Sequence, residues 1–354
     1  MRRMCFALTL LAAVLVTEMS GTENYVWLTN WETPALFPGT ALPFRGGDTL
    51  WGPVHSNDWI ATMNAGGQPV FYDVVSTTKP SFRPGSPSPA GIFLGGPPEF
   101  SVPPIMLPPD LERLRTLAMV RSANFEIDGQ EWFAELADDT LYVAHWPVGT
   151  PRDTMLPPSY SLDLVTHPHV FFDGPLDVRG VLNPNELFVT IGSSENIRVL
   201  DNVIIAGTDT VTGLVPADAT SALCLASERS IIIANTWENG RENSSSGSNV
   251  VITAMLYATR GSLEFEQMND VADPYVSPVT PDERGALMIT GGIVQWRRGF
   301  VHRSNNNGTG YRLKLRYDER LRYWDAGVSD ENALYPDTLF FVDTRTGETG
   351  MTRS

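Results

Sequence analysis

The sequence predicts an all-β chain. Within that class it predicts a right-handed parallel β-helix carrying an inserted α+β subdomain, with a β-sandwich of similar strand count as the alternative. The first observation is a series of short β-branched bursts, among them ELFVTIG (186–192), NIRVLDNVIIAG (196–207), SIIIANT (230–236), NVVITAMLY (249–257) and GALMITGGIVQW (285–296), each closed by Gly, Asn, Asp or Ser. The second is alternation. Leu187, Val189 and Ile191, then Ile197 and Val199, Val203 and Ile205, and Ile231 and Ile233 repeat every second residue, which puts them on one face of a strand. The third is spacing: the bursts follow one another too closely for crossover helices. Coils that cannot bury their own faces gain stability by stacking on neighbours.

In chain order, residues 1–21 carry Arg2 and Arg3 ahead of an apolar run from Cys5 to Val16. That is the pattern of a signal peptide, or of a membrane anchor over residues 4–16, although Glu18 and Met19 make a poor cleavage consensus. Residues 22–78 are expected to form the first coils. Here Leu50 and Val54 precede, and Trp59 follows, the polar corner His55-Ser56-Asn57-Asp58. Residues 79–165 are expected to be an inserted subdomain. It begins with the Pro-rich stretch KPSFRPGSPSPAG, where fixed φ and missing donors disfavour a central strand. A helix follows over Pro108–Val120, capped by Asp110, and then a hairpin over Phe125–Trp146 whose first turn is Asp128-Gly129. Residues 166–303 are the main ladder. Residues 304–354 form a cap and tail, with Tyr311–Trp324 covering the open end of the last coil and a final strand at Thr338–Val342.

The chain has 354 residues, 42% hydrophobic and 19% charged, with a net charge of −16. That is a globular balance with ample core. The acidic excess excludes a phosphate-binding surface and hence nucleic acid as partner, and it leaves the membrane to be reached only through the N-terminal segment. Of the two cysteines, Cys5 lies in the leader and Cys224 in an apolar burst, so no intrachain disulfide is expected in the mature chain.

GDTLWGPVHSNDWI (47–60) resembles the signature of a bacterial envelope family, a domain of unknown function whose members often carry pilin-like N-termini of the minor-pilus-assembly kind. The resemblance continues through PVFYDVVSTT, FFDGPLDVRGVL, SSENIRVLDNVIIA, SIIIANTWENGREN and RGALMITGGIVQWRRGFVHRSNNNGTGY, and so covers most of residues 25–325. It implies a β-helical exoprotein linked to the cell surface or to pilus-like assemblies, and it carries no catalytic residues. The leader departs from the prepilin pattern, lacking Gly followed by Phe-x-x-x-x-Glu.

Two places attract attention as sites. His55, Asn57 and Asp58 can offer an imidazole and a carboxylate to a ligand, or can satisfy backbone at a β-corner. Trp296, Arg297, Arg298 and His302 form a basic and aromatic patch suited to an acidic partner or a sugar ring. His167-Pro168-His169 is an H-x-H pair with no third ligand, and no metal or cofactor is expected. Asp201, Glu228, Glu238, Glu264 and Glu266 are the carboxylates that neighbouring coils can bring together for polysaccharide chemistry. The expected function is a non-catalytic, exported structural or adhesive protein of the cell envelope, partnered by envelope or pilus-like proteins or by carbohydrate. The alternative is a polysaccharide hydrolase or lyase, or a carbohydrate-binding module.

Overall fold

The computed structural model describes residues 22–85, 91–152, 157–241, 249–266, 283–303 and 309–323. The leader with Cys5 and the strand expected at Thr338–Val342 lie outside them. The described residues are mostly strand, and the strands join into one large curled sheet system. Within it run two ladders. In spatial order the first contains Glu99–Phe100, Val75–Thr77, Val54–Ser56, Trp27–Trp31, the C-terminal half of Glu283–Arg297, Met255–Ala258, Ala222–Ser227, Phe188–Ser193, His169–Asp173 and Asn124–Glu126, all parallel. The second runs from Ile92–Phe93 through Val70–Phe71, Thr49–Trp51, Thr309–Tyr317 and the N-terminal half of Glu283–Arg297 to Val250–Ile252, Ile197–Ile205, Leu176–Leu182 and Gln130–Asp138. Ile231–Ile233 and Leu263–Phe265 extend it from the first residues of Ile197–Ile205. A Greek-key sandwich is built of antiparallel pairs, whereas both ladders here pair in parallel.

Alternation becomes columns. Leu176, Ile197, Ile231 and Leu263 stand in register and are buried, as are Val178, Val199, Ile233 and Phe265. Each such side chain contributes about 1.5–3 kcal/mol of burial. Between these columns lies an outward row of Phe133, Asp177, Arg198, Ile232 and Glu264. Hydroxyl side chains turn the chain where the first ladder ends. Ser56, Thr77, Ser193 and Ser227 each accept the backbone N–H two residues on, from Asp58, Lys79, Glu195 and Arg229 at 2.9–3.1 Å, an ST-turn repeated on strand after strand. Gly291 lets one strand serve both ladders. Its φ is +150°, and a Cβ there would run into the Ala254 carbonyl oxygen.

Four expectations change. The helix is Glu112–Val120, with Leu111 at the N-cap position, and Asp110 instead accepts the Glu112 N–H at 3.2 Å. It buries Leu114 and Ala118 against the first ladder, where Gly192 leaves room for Leu114. The antiparallel hairpin pairs Gln130–Asp138 with Thr140–Pro147, so its tip is Asp138-Asp139, Asp138 having a φ of +58°. Asp128-Gly129 instead carries the chain from one ladder to the other. The segment expected as an insertion thus supplies Asn124–Glu126 and Gln130–Asp138 to the ladders. The tail expected to cover the open end does not: Thr309–Tyr317 lies inside the second ladder, between Glu283–Arg297 and Thr49–Trp51. Its alternating Tyr311, Leu313, Leu315 and Tyr317 are all buried, so the strand suits a central position. Among the described residues no helix is long and apolar enough to cross a membrane.

Candidate functional site

Strand Trp27–Trp31 hands its next residue, Glu32, to the interior, and strand Glu283–Arg297 does the same with Arg298. The two meet: Arg298 Nη1 lies 2.9 Å from Glu32 Oε2, their side chains 6% and 0% exposed. A buried carboxylate needs its remaining lone pairs filled. Trp27 Nε1 donates to Glu32 Oε1 at 3.3 Å, and the Thr29 hydroxyl donates to the same oxygen. The guanidinium lies over the rings of Phe44 and Trp27, 3.8 and 4.9 Å from their centroids.

Beside this pair opens a cavity of about 430 Å³. Trp27, Phe37, Phe300 and Tyr311 contribute aromatic walls, and Asp48, Arg298 and His302 contribute polar groups. Asp48 is buried, and its Oδ2 accepts the Arg45 N–H at 3.0 Å. Burial pushes its carboxyl above the usual range, against the opposing pull of that hydrogen bond and of the Arg298 and Arg45 charges.

A second depression, of about 740 Å³, runs across the ends of several neighbouring strands. Asp173, Glu195, Glu228 and Glu264 line it together with Arg229, Arg260 and Arg297. Most of these charges are paired. Arg229 Nε sits 2.6 Å from Glu195, Arg260 Nη1 3.9 Å from Glu228 and Arg115 Nη2 3.4 Å from Asp173. Burial raises the Glu264 carboxyl, partly offset by hydrogen bonds from Ser230 and Ser262. In the same outward row, Arg198 bridges Asp177 at 3.0 Å and Glu266 at 3.1 Å. Burial pushes Asp177 up to about 6 even though Arg198 and Arg152 pull it down.

The expected site residues divide among these features. His55 is buried, with Nε2 3.0 Å from Asn57 Oδ1 and Nδ1 2.9 Å from the Ser76 hydroxyl. Asn57 uses the same oxygen to accept the Ile105 N–H and donates to the Ile105 carbonyl. Asp58 accepts the Glu32 N–H at 3.1 Å, with Lys79 4.0 Å away. Asn57 and Asp58 thus tie backbone segments together, while His55 joins the Asn57 and Ser76 side chains. The basic and aromatic patch is split. Trp296 is 36% exposed, Arg297 lines the second depression with its guanidinium 5.7 Å from the Trp31 ring centroid, and Arg298 and His302 line the cavity. Of the five carboxylates, Glu228 and Glu264 share the depression and Glu266 joins Asp177, while Asp201 accepts the Asn202 N–H and Glu238 is exposed. His169 is buried in its strand, whereas His167 Nδ1 meets the Asp163 carbonyl. Among the described residues no three His, Cys, Asp or Glu side chains are grouped to hold a metal ion. Cys224 is fully buried, and burial raises its thiol pKa, which makes it a packing residue.

Glu32 and Asp48 were missed by sequence reasoning. Each is a single acid beside aromatic or glycine-rich sequence, with no periodic signal to mark it. Compared with known proteins, the chain matches no family model, no curated protein and no solved structure.

Proposed function

We propose that the chain is an exported, non-catalytic protein of the cell envelope, structural or adhesive in role and associated with a pilus-like assembly. In this reading it is built as a right-handed parallel β-helix. The observation that carries the reading is the parallel pairing along both ladders, with strand after strand of the first keeping the same columns in register. Such stacking gives a stiff body with long lateral faces and short ends, suited to presenting a surface rather than closing around a substrate. The resemblance carried by GDTLWGPVHSNDWI supports the envelope location, as does the basic and apolar leader at 1–21. Cell fractionation with N-terminal sequencing of the mature protein tests it. Recovery from the envelope or medium is expected, and recovery of the intact chain from the cytosol would overturn it.

A second reading, a polysaccharide hydrolase or lyase, has its own observation. Asp177 and Glu264 lie in one outward row, with the strands of Arg198 and Ile232 between them, and burial raises both carboxyls, as an acid catalyst requires. Assay of the purified chain on acidic and neutral polysaccharides decides it. The enzyme reading needs turnover that Asp177→Asn or Glu264→Gln abolishes.

A further inference from the structure

We propose that the cavity between residues 37–48 and 298–302 is a binding pocket for one neutral pyranose unit of a glycan. The proposal rests on the adhesive reading for its biological setting and on the cavity alone for its chemistry.

The size comes first. About 430 Å³ falls in the range of small-molecule sites, roughly 300–1,000 Å³. The walls come second. Phe37, 48% exposed, meets Phe300 edge to face with centroids 6.0 Å apart. With Trp27 and Tyr311 they form an aromatic lining around a space that also holds the polar atoms of Asp48, Arg298 and His302. A pyranose has both surfaces such a pocket needs, apolar C–H faces for the rings and hydroxyls for the polar groups.

Charge selects among polar ligands. Asp48 and Glu32 offset Arg45 and Arg298 around the cavity. With these charges balanced, the pocket favours neither an ammonium group nor a carboxylate or phosphate. A carboxylate that accepts and a guanidinium that donates suit a ligand whose hydroxyls do both. The half-exposed Phe37 marks the open side of the pocket, so a sugar there can remain linked to a longer chain.

The test is calorimetric titration of the full chain with methyl glycosides of glucose, galactose, mannose and N-acetylglucosamine, with choline as the cationic control. At least one glycoside is expected to bind. Asp48→Asn should weaken that binding by about tenfold or more. Phe37→Ala, at an exposed position that threatens the fold little, should weaken it by about fivefold, with the thermal midpoint unchanged. The proposal is overturned if no glycoside binds, if choline binds in their place, or if binding is indifferent to Phe37→Ala. These titrations use purified protein, so their failure leaves the envelope reading to be decided separately by fractionation.

Discussion

Arg298 and Glu32 show how much one pair of side chains can hold in place. The pair joins the start of the described chain to a strand made 266 residues later. Removing one member leaves the other charged and buried, at a cost of about 3–5 kcal/mol. Glu32→Gln should therefore lower the urea midpoint by that equivalent, and the double variant Glu32→Gln/Arg298→Met should recover much of it. Additive losses in the double variant would contradict this. Titration gives a second residue-scale expectation. Asn57 Oδ1 is fixed as an acceptor by the Ile105 N–H, so His55 Nε2 carries the proton of a neutral ring. Burial lowers the His55 pKa, so as pH falls below about 6.5 the unfolded chain binds a proton that the folded chain refuses, and stability drops. Asp177 acts in the opposite sense. With its pKa raised to about 6, the folded chain binds the extra proton between there and the unfolded value near 3.9, so this group adds stability as pH falls through that window. Comparing urea midpoints at pH 7.5 and 5 for His55→Gln and Asp177→Asn separates the two. The first variant should lose less stability on acidification than the parent, and the second should lose more.

At the scale of elements, the strand Glu283–Arg297 depends on one glycine. Gly291→Ala imposes an unfavourable φ and drives a methyl group into the Ala254 carbonyl. It should cost at least about 1–3 kcal/mol, read as a lower thermal midpoint, whereas replacing Gly66, which has open space around the Cβ position, brings backbone strain without the collision. The hydroxyl corners are elements of similar weight. Ser227 accepts the Arg229 N–H and donates to the Glu195 carbonyl at 2.7 Å, so Ser227→Ala should cost about 1–3 kcal/mol. These corners were legible and went unread. Ser56-Asn57-Asp58, Thr77-Thr78-Lys79, Ser193-Ser194-Glu195 and Ser227-Glu228-Arg229 repeat one pattern, a hydroxyl followed two residues later by a charged residue.

At the scale of the whole molecule, the β class and the inward residues of each burst were readable because a period of two is local. Ile197, Val199, Ile231 and Ile233 needed no knowledge of their neighbours. Which coil lies on which was not readable, because short apolar strands are nearly interchangeable in pattern and only the columns decide. Hence the pattern of Tyr311–Trp324 suggests an end cap, whereas Thr309–Tyr317 lies inside a ladder. The cavity was half legible: Arg298 and His302 stood in a conspicuous patch, but Asp48 and Glu32 join them only through stacking. The column Leu256, Ile293, Trp27 and Val54 gives a global test. Ile293→Ala should cost about 2–5 kcal/mol, and hydrogen exchange should show the amides of Trp27–Trp31 and Val54–Ser56 losing protection together with those of Glu283–Arg297.

Trp27–Trp31 lies between Val54–Ser56 and Glu283–Arg297, and this order has a consequence during synthesis. Trp27–Trp31 leaves the ribosome with one edge bare and waits until Glu283–Arg297 has been translated. Until it arrives the nascent chain offers an open parallel edge to any other strand, and the closing step must bring Ile293 back to Trp27 across all the sequence between them, which makes it slow.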